Sequence, residues 1–312
     1  MKPKTILISG ADGYIALHLS QMLQKHNFNV LTATRNKNGM VQMDFSKPSE
    51  VASLRMSSID WMIHTVSPNE ALYKTDPYRA LSESALGIHA ALDFCVANRI
   101  KNFIYFSSFH VLGKQDGKLT ELTPVAPVND YGLAHSFAEQ TVQLFNRTNL
   151  VNTWIIRPSN LFGVPVESEK FKRWNLIPFL FCKEAVERNQ ITLMTPGNQL
   201  RNFVGVSDVC KKVLWILNQS PKERIIHAYG KETYSVLHYA SIVQKIASEI
   251  YGISVEIVRP EGEDLFIEFE FTSILDESDI APNSELDNFV AEMIKVLLTN
   301  QKKGGFIRAR SI

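Results

Sequence analysis

Cysteine is scarce in this chain: Cys95, Cys182 and Cys210 are the three in 312 residues, and no two stand in a CxxC pair. An odd, scattered set gives neither a disulfide framework nor a tetrahedral zinc site. Each thiol is expected to fill a small apolar space in a core, and a cytoplasmic compartment is the expectation that goes with them. Net charge is nearly absent as well, with 33 Lys and Arg against 32 Asp and Glu. No overall field recruits nucleic acid or an anionic membrane, so an anionic ligand has to be held by a few placed groups. No uninterrupted apolar run reaches the roughly 18 residues of a membrane-spanning helix. Neither a membrane nor nucleic acid is therefore expected as a partner. The first apolar run, Ile6-Leu7-Ile8, is too short for a signal peptide and leads straight into a glycine turn. The eight histidines form no spaced cluster with carboxylates or cysteines, so no metal site is expected. Internal repeats and low-complexity linkers are missing too.

What is there is rhythm. Short β-branched and apolar runs at 5–8, 29–34, 40–44, 59–65, 101–107 and 153–157 predict strands. Helical spacing fills 13–26, 49–55, 78–98 and 131–146 between them. Strand and helix alternating in this way predict an α/β fold, a doubly wound parallel sheet covered by helices on both faces. The rhythm changes after Gly163. Residues 177–188, 206–218, 235–249 and 286–300 read as helices, and 225–229 and 255–258 as strands. Residues 113–129 read as loop, 261–279 give no readable pattern, and the basic tail 302–312 is expected to fray. The expected organisation is a sheet domain over 1–163, to which 203–230 returns, and a smaller C-terminal lobe made mainly from 164–312.

The first strand ends in Gly10-Ala11-Asp12-Gly13-Tyr14-Ile15-Ala16. Spaced glycines between a strand and a helix let the backbone approach a pyrophosphate, which the free N–H groups of the helix start then bind. The bland alternative is an ordinary tight turn. Ala16 stands at the pattern's third, packing position. The second strand ends Thr32-Ala33-Thr34-Arg35, with no carboxylate for a ribose 2′-hydroxyl, whereas Arg35 suits a 2′-phosphate. NADP is thus the expected cofactor, with NAD as the alternative.

Several ordered motifs together resemble the extended short-chain dehydrogenases, the Rossmann-type epimerase and dehydratase family that modifies nucleotide sugars. The glycine turn is the first, and the likeness implies cofactor contacts from Gly10, Asp12, Gly13, Tyr14 and Ile15. Met43-Asp44-Phe45 resembles a segment whose acid meets the adenine. Ile63-His64-Thr65-Val66-Ser67 is similar to a strand end that lines the cofactor. Ser107-Ser108-Phe109-His110-Val111-Leu112-Gly113 resembles SSxxVYG and implies Ser108 as catalytic; His110 could then reach the sugar, or be a loop histidine with no role. Tyr131-Gly132-Leu133-Ala134-His135-Ser136-Phe137-Ala138-Glu139 resembles YGxSKxxxE and implies Tyr131 as the acid–base group. Arg157-Pro158-Ser159-Asn160-Leu161-Phe162-Gly163 is similar to RPxNxYG, which places Pro158 by the cofactor and Asn160 by the substrate. Asn175-Leu176-Ile177-Pro178 and Arg201-Asn202-Phe203-Val204 resemble segments whose Asn and Arg meet a sugar-nucleotide diphosphate. The resemblance also implies pairing of two chains through helices 78–98 and 131–146, a homodimer.

One position departs from the pattern. The family's lysine, four residues after the tyrosine, is His135 here. Positions i and i+4 share a helix face, so the spacing fits and the type does not. That lysine fixes a positive charge beside the phenol. A free tyrosine, with pKa near 10, resists ionisation at pH 7 by roughly 4 kcal/mol, and a mostly neutral histidine helps little. Two outcomes stay open. Either Tyr131 works as a proton donor in the reducing direction, or the chain is a catalytically weak dinucleotide-binding sensor. Phe109 and His110 stand where the family's 4,6-dehydratases carry Asp-Glu, so the acid and base of dehydration are gone. No histidine lies between Gly163 and Leu200, against the epimerising GDP-fucose synthase type. The expected activity is a 4-ketoreductase on a nucleotide-diphosphate sugar; the alternative is a 4-epimerase that retains NAD.

Overall fold

Parallel strands buried on both faces need long apolar runs, and the computed structural model has them at its centre. It describes residues 3–36, 39–68, 70–114, 116–262, 267–275 and 280–309. In chain order the elements of the first half are β1 (Thr5–Ser9), α1 (Tyr14–Lys25), β2 (Asn29–Thr34), β3 (Val41–Gln42), α2 (Pro48–Ser53), β4 (Trp61–His64), α3 (Glu70–Thr75), α4 (Pro77–Ala97), β5 (Asn102–Phe106), β6 (Gly117–Leu119), α5 (Asp130–Arg147), β7 (Asn152–Pro158) and β8 (Asn160–Phe162). The second half adds α6 (Ile177–Arg188), β9 (Gln190–Thr192), β10 (Leu200–Gly205), α7 (Val206–Gln219), β11 (Ile225–Ala228), β12 (Thr233–Ser235), α8 (Val236–Tyr251), β13 (Glu256–Val258), β14 (Phe269–Phe271) and α9 (Leu286–Ala309).

Seven strands form the central sheet in the order β11-β7-β5-β4-β1-β2-β3. All of its pairings are parallel. Every residue of β1 and β4 is buried. One face carries α1 and α7, where Ile6, Ile8, Leu19, Leu23, Val209 and Val213 share a core. The other carries α2, α4 and α5, around Leu7, Met62, Leu92, Phe94, Val142 and Ile155. The expected doubly wound α/β sheet is the one observed, with β11 as the seventh strand. A separate core collects Phe179, Cys182, Tyr239, Val243, Phe289 and Met293 from α6, α8 and α9. Val204, Val209, Val213 and Ile226 leave that lobe's stretch of sequence and pack on the sheet instead.

By length and composition α4 is apolar enough to cross a membrane, with a mean hydropathy of 1.2. Here its apolar side covers the sheet through Ile88, Ala91, Leu92 and Phe94. The tail expected to fray is helical through Ala309, and the remaining residues 310–312 lie outside the described ones. All three cysteines are buried and free.

The loop read over 113–129 contains β6, which pairs in parallel with β14 of the unreadable stretch. Leu119, Phe269 and Phe271 then pack on Phe109, Val111 and Leu112. A segment about 150 residues away in sequence thus buttresses the 3-10 turn that begins after Ser108. Glu121 fixes this brace, accepting from the N–H groups of His227 and Ile274 at 2.8 and 2.9 Å.

Candidate active site

The carboxyl ends of β1, β4, β5 and β7 open on one edge of the sheet, and the segments leaving those four ends build the site. After β1 comes the glycine turn. Gly10 has φ +79°, and a Cβ there would meet Thr65 Oγ1 at 2.8 Å and Val66 Cγ2 at 3.0 Å. At Gly13 it would stand 2.9 Å from the Gly10 carbonyl oxygen. Gly13 caps α1 without any side-chain hydrogen bond, which leaves first-turn N–H groups for an anion. The bare backbone and uncapped helix start fit the pyrophosphate of a dinucleotide. A Gly10→Ala substitution should weaken NADH binding by about tenfold or more, since a forced φ > 0 alone costs an L-residue about 1–2 kcal/mol. Isothermal titration checks this, and unchanged affinity would remove the turn from the site.

Asp12 sends its carboxylate sideways: Oδ2 accepts from Thr34 Oγ1 at 2.7 Å and Asn36 Nδ2 at 2.6 Å. Tyr14, expected at the cofactor, sends its ring elsewhere. Its hydroxyl donates to the Gly163 carbonyl at 2.9 Å, and its ring meets Phe171 and Phe179 edge-on. The side chain therefore ties the turn to the C-terminal lobe, and only the backbone of Tyr14 stays at the helix start. Ile15 packs partly buried against the sheet core. Arg35 is exposed and makes no ion pair with a described residue. Asp44 accepts from the N–H and hydroxyl of Ser46, closing its own turn, while Phe45 is buried edge-on to His64. Thr65 donates to the Ser9 carbonyl at 2.8 Å, which sets the wall that Gly10 approaches.

After β5, Ser108 is buried, and its Oγ accepts from the His110 backbone N–H at 3.3 Å. The His110 ring meets that of Tyr131 edge-on, with centroids 5.5 Å apart. His110 therefore bridges Ser108, through its backbone N–H, and Tyr131, through its ring. Asn129 caps α5 by accepting from Gly132 N–H at 2.8 Å, so Tyr131 sits in the first helical turn. Beside it lies a cavity of about 340 Å³ lined by Tyr73, Lys74, His110, Asn129, Asp130 and Tyr131. Tyr73 also packs edge-on against Tyr131 at 5.7 Å. Neither Tyr73 nor Lys74 stood out in the sequence, because six-residue α3 is too short to show a period.

His135 is the position that the fold explains best. It is 2% exposed. Ser67 Oγ donates to the Pro68 carbonyl at 3.2 Å, so toward the histidine it acts as acceptor for Nε2–H at 3.4 Å. Nδ1 is then the acceptor for the Tyr105 hydroxyl at 2.7 Å. Burial pushes the His135 pKa down to about 3, helped by the charges of His110 and Arg173. The ring is neutral and held from both sides. It braces Tyr131, whose ring centroid is 4.6 Å away, but brings no fixed charge to it. Two residues that the sequence pattern does not single out matter here: Tyr105, which reads only as strand core, and Arg173, from the segment ahead of α6.

Behind the serines, Ser107 donates to Glu139 Oε1 at 2.6 Å, and Arg157 pairs with both Glu139 oxygens at 2.8 and 2.6 Å. Both charged side chains are 1% exposed. This pair locks α5 to β5 and β7, and so fixes the tyrosine's helix relative to the serine's strand. Pro158 is buried at the end of β7. Asn160 donates to the Asn202 carbonyl at 2.9 Å, Arg201 donates to its neighbour Leu200 O at 2.8 Å, and Asn175 is exposed at the lobe. Arg201 forms no ion pair among the described residues, and burial lowers its pKa.

A doubly wound sheet with a glycine turn at one strand end, a serine at another and a tyrosine in the first turn of the helix that follows defines a dinucleotide-binding oxidoreductase architecture. The model of the NAD dependent epimerase/dehydratase family matches residues 6–229, and the chain belongs to that family. It is 26% identical over 242 residues to a putative UDP-glucose 4-epimerase of Methanocaldococcus jannaschii, covering 73% of this chain and 78% of that one. It is 22% identical over 284 residues to a dTDP-4-dehydro-6-deoxy-D-allose reductase of a Streptomyces species, covering 83% and 86%. Among solved structures, UDP-glucose 4-epimerase of Thermotoga maritima with UDP-glucose superposes with a TM-score of 0.76 at 17% identity, over 95% of this chain and 99% of that one.

Proposed function

We propose that the chain is a nicotinamide-dinucleotide-dependent oxidoreductase acting on a nucleotide-diphosphate sugar, and more narrowly a 4-ketoreductase. The observation that carries the narrower reading is the uncharged His135 beside Tyr131. Reduction of a keto group needs a proton donor, and a phenol with no fixed cation beside it stays in the donating form. The bound dinucleotide supplies the hydride. Tyr131 gives its proton to the sugar oxygen, Ser108 hydrogen-bonds the same oxygen, and His110 holds both in place. Arg201, with Asn175 and Asn160, is suited to the diphosphate side of the substrate. The division of labour is a dinucleotide-binding part, 1–163 with 203–230, and a substrate lobe, mainly 164–312.

The test is direct. With a panel of 4-keto-6-deoxy nucleotide sugars, the protein should consume NADH or NADPH in step with sugar reduced. Failure on every nucleotide base overturns the ketoreductase reading. The second reading, a 4-epimerase with retained NAD, is favoured by the Asp12 carboxylate beside the end of β2. It predicts interconversion of sugar epimers without net redox change, and NAD released on denaturation. Binding of dinucleotide with no turnover of any sugar would leave the sensor.

A homodimer is part of the same proposal. Leu86 on α4 and Phe137 and Leu144 on α5 are 52%, 50% and 47% exposed, on two helices that pack side by side. Large apolar side chains grouped in this way support an interface. Sedimentation should show a dimer, and Phe137→Asp a monomer with its fold intact; a monomeric wild type would remove the interface.

A further inference from the structure

The turn that begins at Ser108 rests on a part of the chain far from it in sequence. His110 lines the cavity beside Tyr131, whereas Phe109, Val111 and Leu112 are buried with Leu119, Phe269 and Phe271. Phe271 is the central contact. Its ring meets that of Phe109 with centroids 5.7 Å apart, and it stacks on the ring of His227 at 4.4 Å and 18°. Three rings from three segments are thus in series: His227 on β11, Phe271 on β14, and Phe109 directly after the serine.

Glu121 holds the first two of these rings together through their backbones. Its Oε1 accepts from the His227 N–H at 2.8 Å and from the Ser273 hydroxyl, and its Oε2 accepts from the Ile274 N–H at 2.9 Å. One carboxylate therefore clasps β11 to the segment just after β14. His227 Nδ1–H adds a bond to the Thr272 carbonyl at 2.9 Å, in that same segment. Hydrogen bonds to an ionised carboxylate are stronger than neutral ones, and Glu121 collects three of them from residues more than 100 positions away. Glu121 does not line the cavity, so any effect on the reaction has to pass through the rings. Close-packed interiors transmit such displacements, and a small misplacement of a reacting group by a remote change is costly to rate.

We propose that Glu121 is a positioning residue for the reaction: by clasping β11 to the segment after β14 it sets Phe271 against Phe109, and so fixes where Ser108 stands beside Tyr131. This rests on the ketoreductase reading for the role of Ser108. The variants are Glu121→Gln, which keeps the size but turns an amide donor toward one of the three donors, and the milder Phe271→Leu, each with Ser108 intact and with Ser108→Ala. Single-turnover reduction of a 4-keto nucleotide sugar and titration with NADH are the readouts. With Ser108 intact, each variant should lower the rate about tenfold or more and leave NADH affinity within about twofold. With Ser108→Ala, each should cost less than about twofold, because the hydroxyl to be positioned is gone. An unchanged rate, or the same loss with and without Ser108, overturns the proposal. Should Glu121→Gln not fold, Phe271→Leu carries the same comparison. A second measurement needs no substrate. The His110 ring signals in an NMR spectrum should move in Glu121→Gln, while those of His64, packed on Phe45, Phe103 and Tyr105, stay where they are. Unmoved His110 signals overturn the proposal while the ketoreductase reading stands. If the wild type reduces no sugar, that reading falls, and the His110 signals alone decide whether Glu121 sets the turn.

Discussion

Tyr131→Phe should lower kcat by about three orders of magnitude, the range of a lost general acid, while NADH affinity stays within about twofold. The phenol is the proton source that the proposed reduction needs, and the fold spends three aromatic contacts on its position. His110, Tyr73 and His135 meet its ring at centroid distances of 5.5, 5.7 and 4.6 Å. Removing one oxygen leaves all three contacts in place, so a fall in kcat reports chemistry rather than collapse. His135 cannot take over the role. Both its ring nitrogens are engaged, by Tyr105 and Ser67, and burial holds its pKa near 3, so at neutral pH it is not the imidazolium that could act as a general acid. His110 is better placed as a substitute, because it bridges Ser108 and Tyr131. Single-turnover rates with a 4-keto sugar and stopped-flow detection separate chemistry from binding. A variant retaining more than about a tenth of the wild-type rate would be too active for a lost general acid and would move the proton donor elsewhere.

The sheet was legible because its strands are continuous apolar runs and its helices long enough to show a period. The contacts that decide the site were not. Asp12 reaches Thr34, Tyr105 reaches His135 and Tyr14 reaches Gly163 across 22, 30 and 149 residues. Pattern reading along the chain identifies residue types at motif positions but not the direction in which a side chain turns. So Tyr14 reads as a cofactor residue although its hydroxyl is bound to the lobe. The substitution at 135 reads as a damaged lysine, whereas the fold makes it a neutral ring with two partners. β6 and β14 are three residues each and pair across the chain, which leaves no local signal. The loop over 113–129 and the unreadable stretch 261–279 are the two halves of one brace.

Acid should unfold this protein early, and the reason is again buried imidazole. Burial pushes the pKa of His64 and His135 down to about 3 and that of His18 and His227 down to about 4. In the unfolded chain each titrates near 6.5. Between those values the unfolded state binds the proton and the folded state refuses it, so stability is full above about pH 6.5 and falls as pH drops toward 4. Each histidine contributes a slope of about 1.4 kcal/mol per pH unit, or about 2 kcal/mol by pH 5. His64, His135 and His227 are 2%, 2% and 0% exposed and should show most of this, with the less buried His18 contributing less. Three such groups sum to about 6 kcal/mol, which is comparable to the whole stability of a typical domain. Urea titrations at constant ionic strength should therefore show the midpoint collapsing between pH 7 and 5. His64 isolates the effect: its Nδ1 meets Ser9 Oγ at 2.9 Å, and its ring packs against Phe45, Phe103 and Tyr105. A His64→Gln variant should start less stable at pH 7 yet lose less between pH 7 and 5, by about one proton's worth of slope. A wild type as stable at pH 5 as at pH 7 would mean that these rings accept protons inside the fold, and the neutral state assigned to His135 would fall with them.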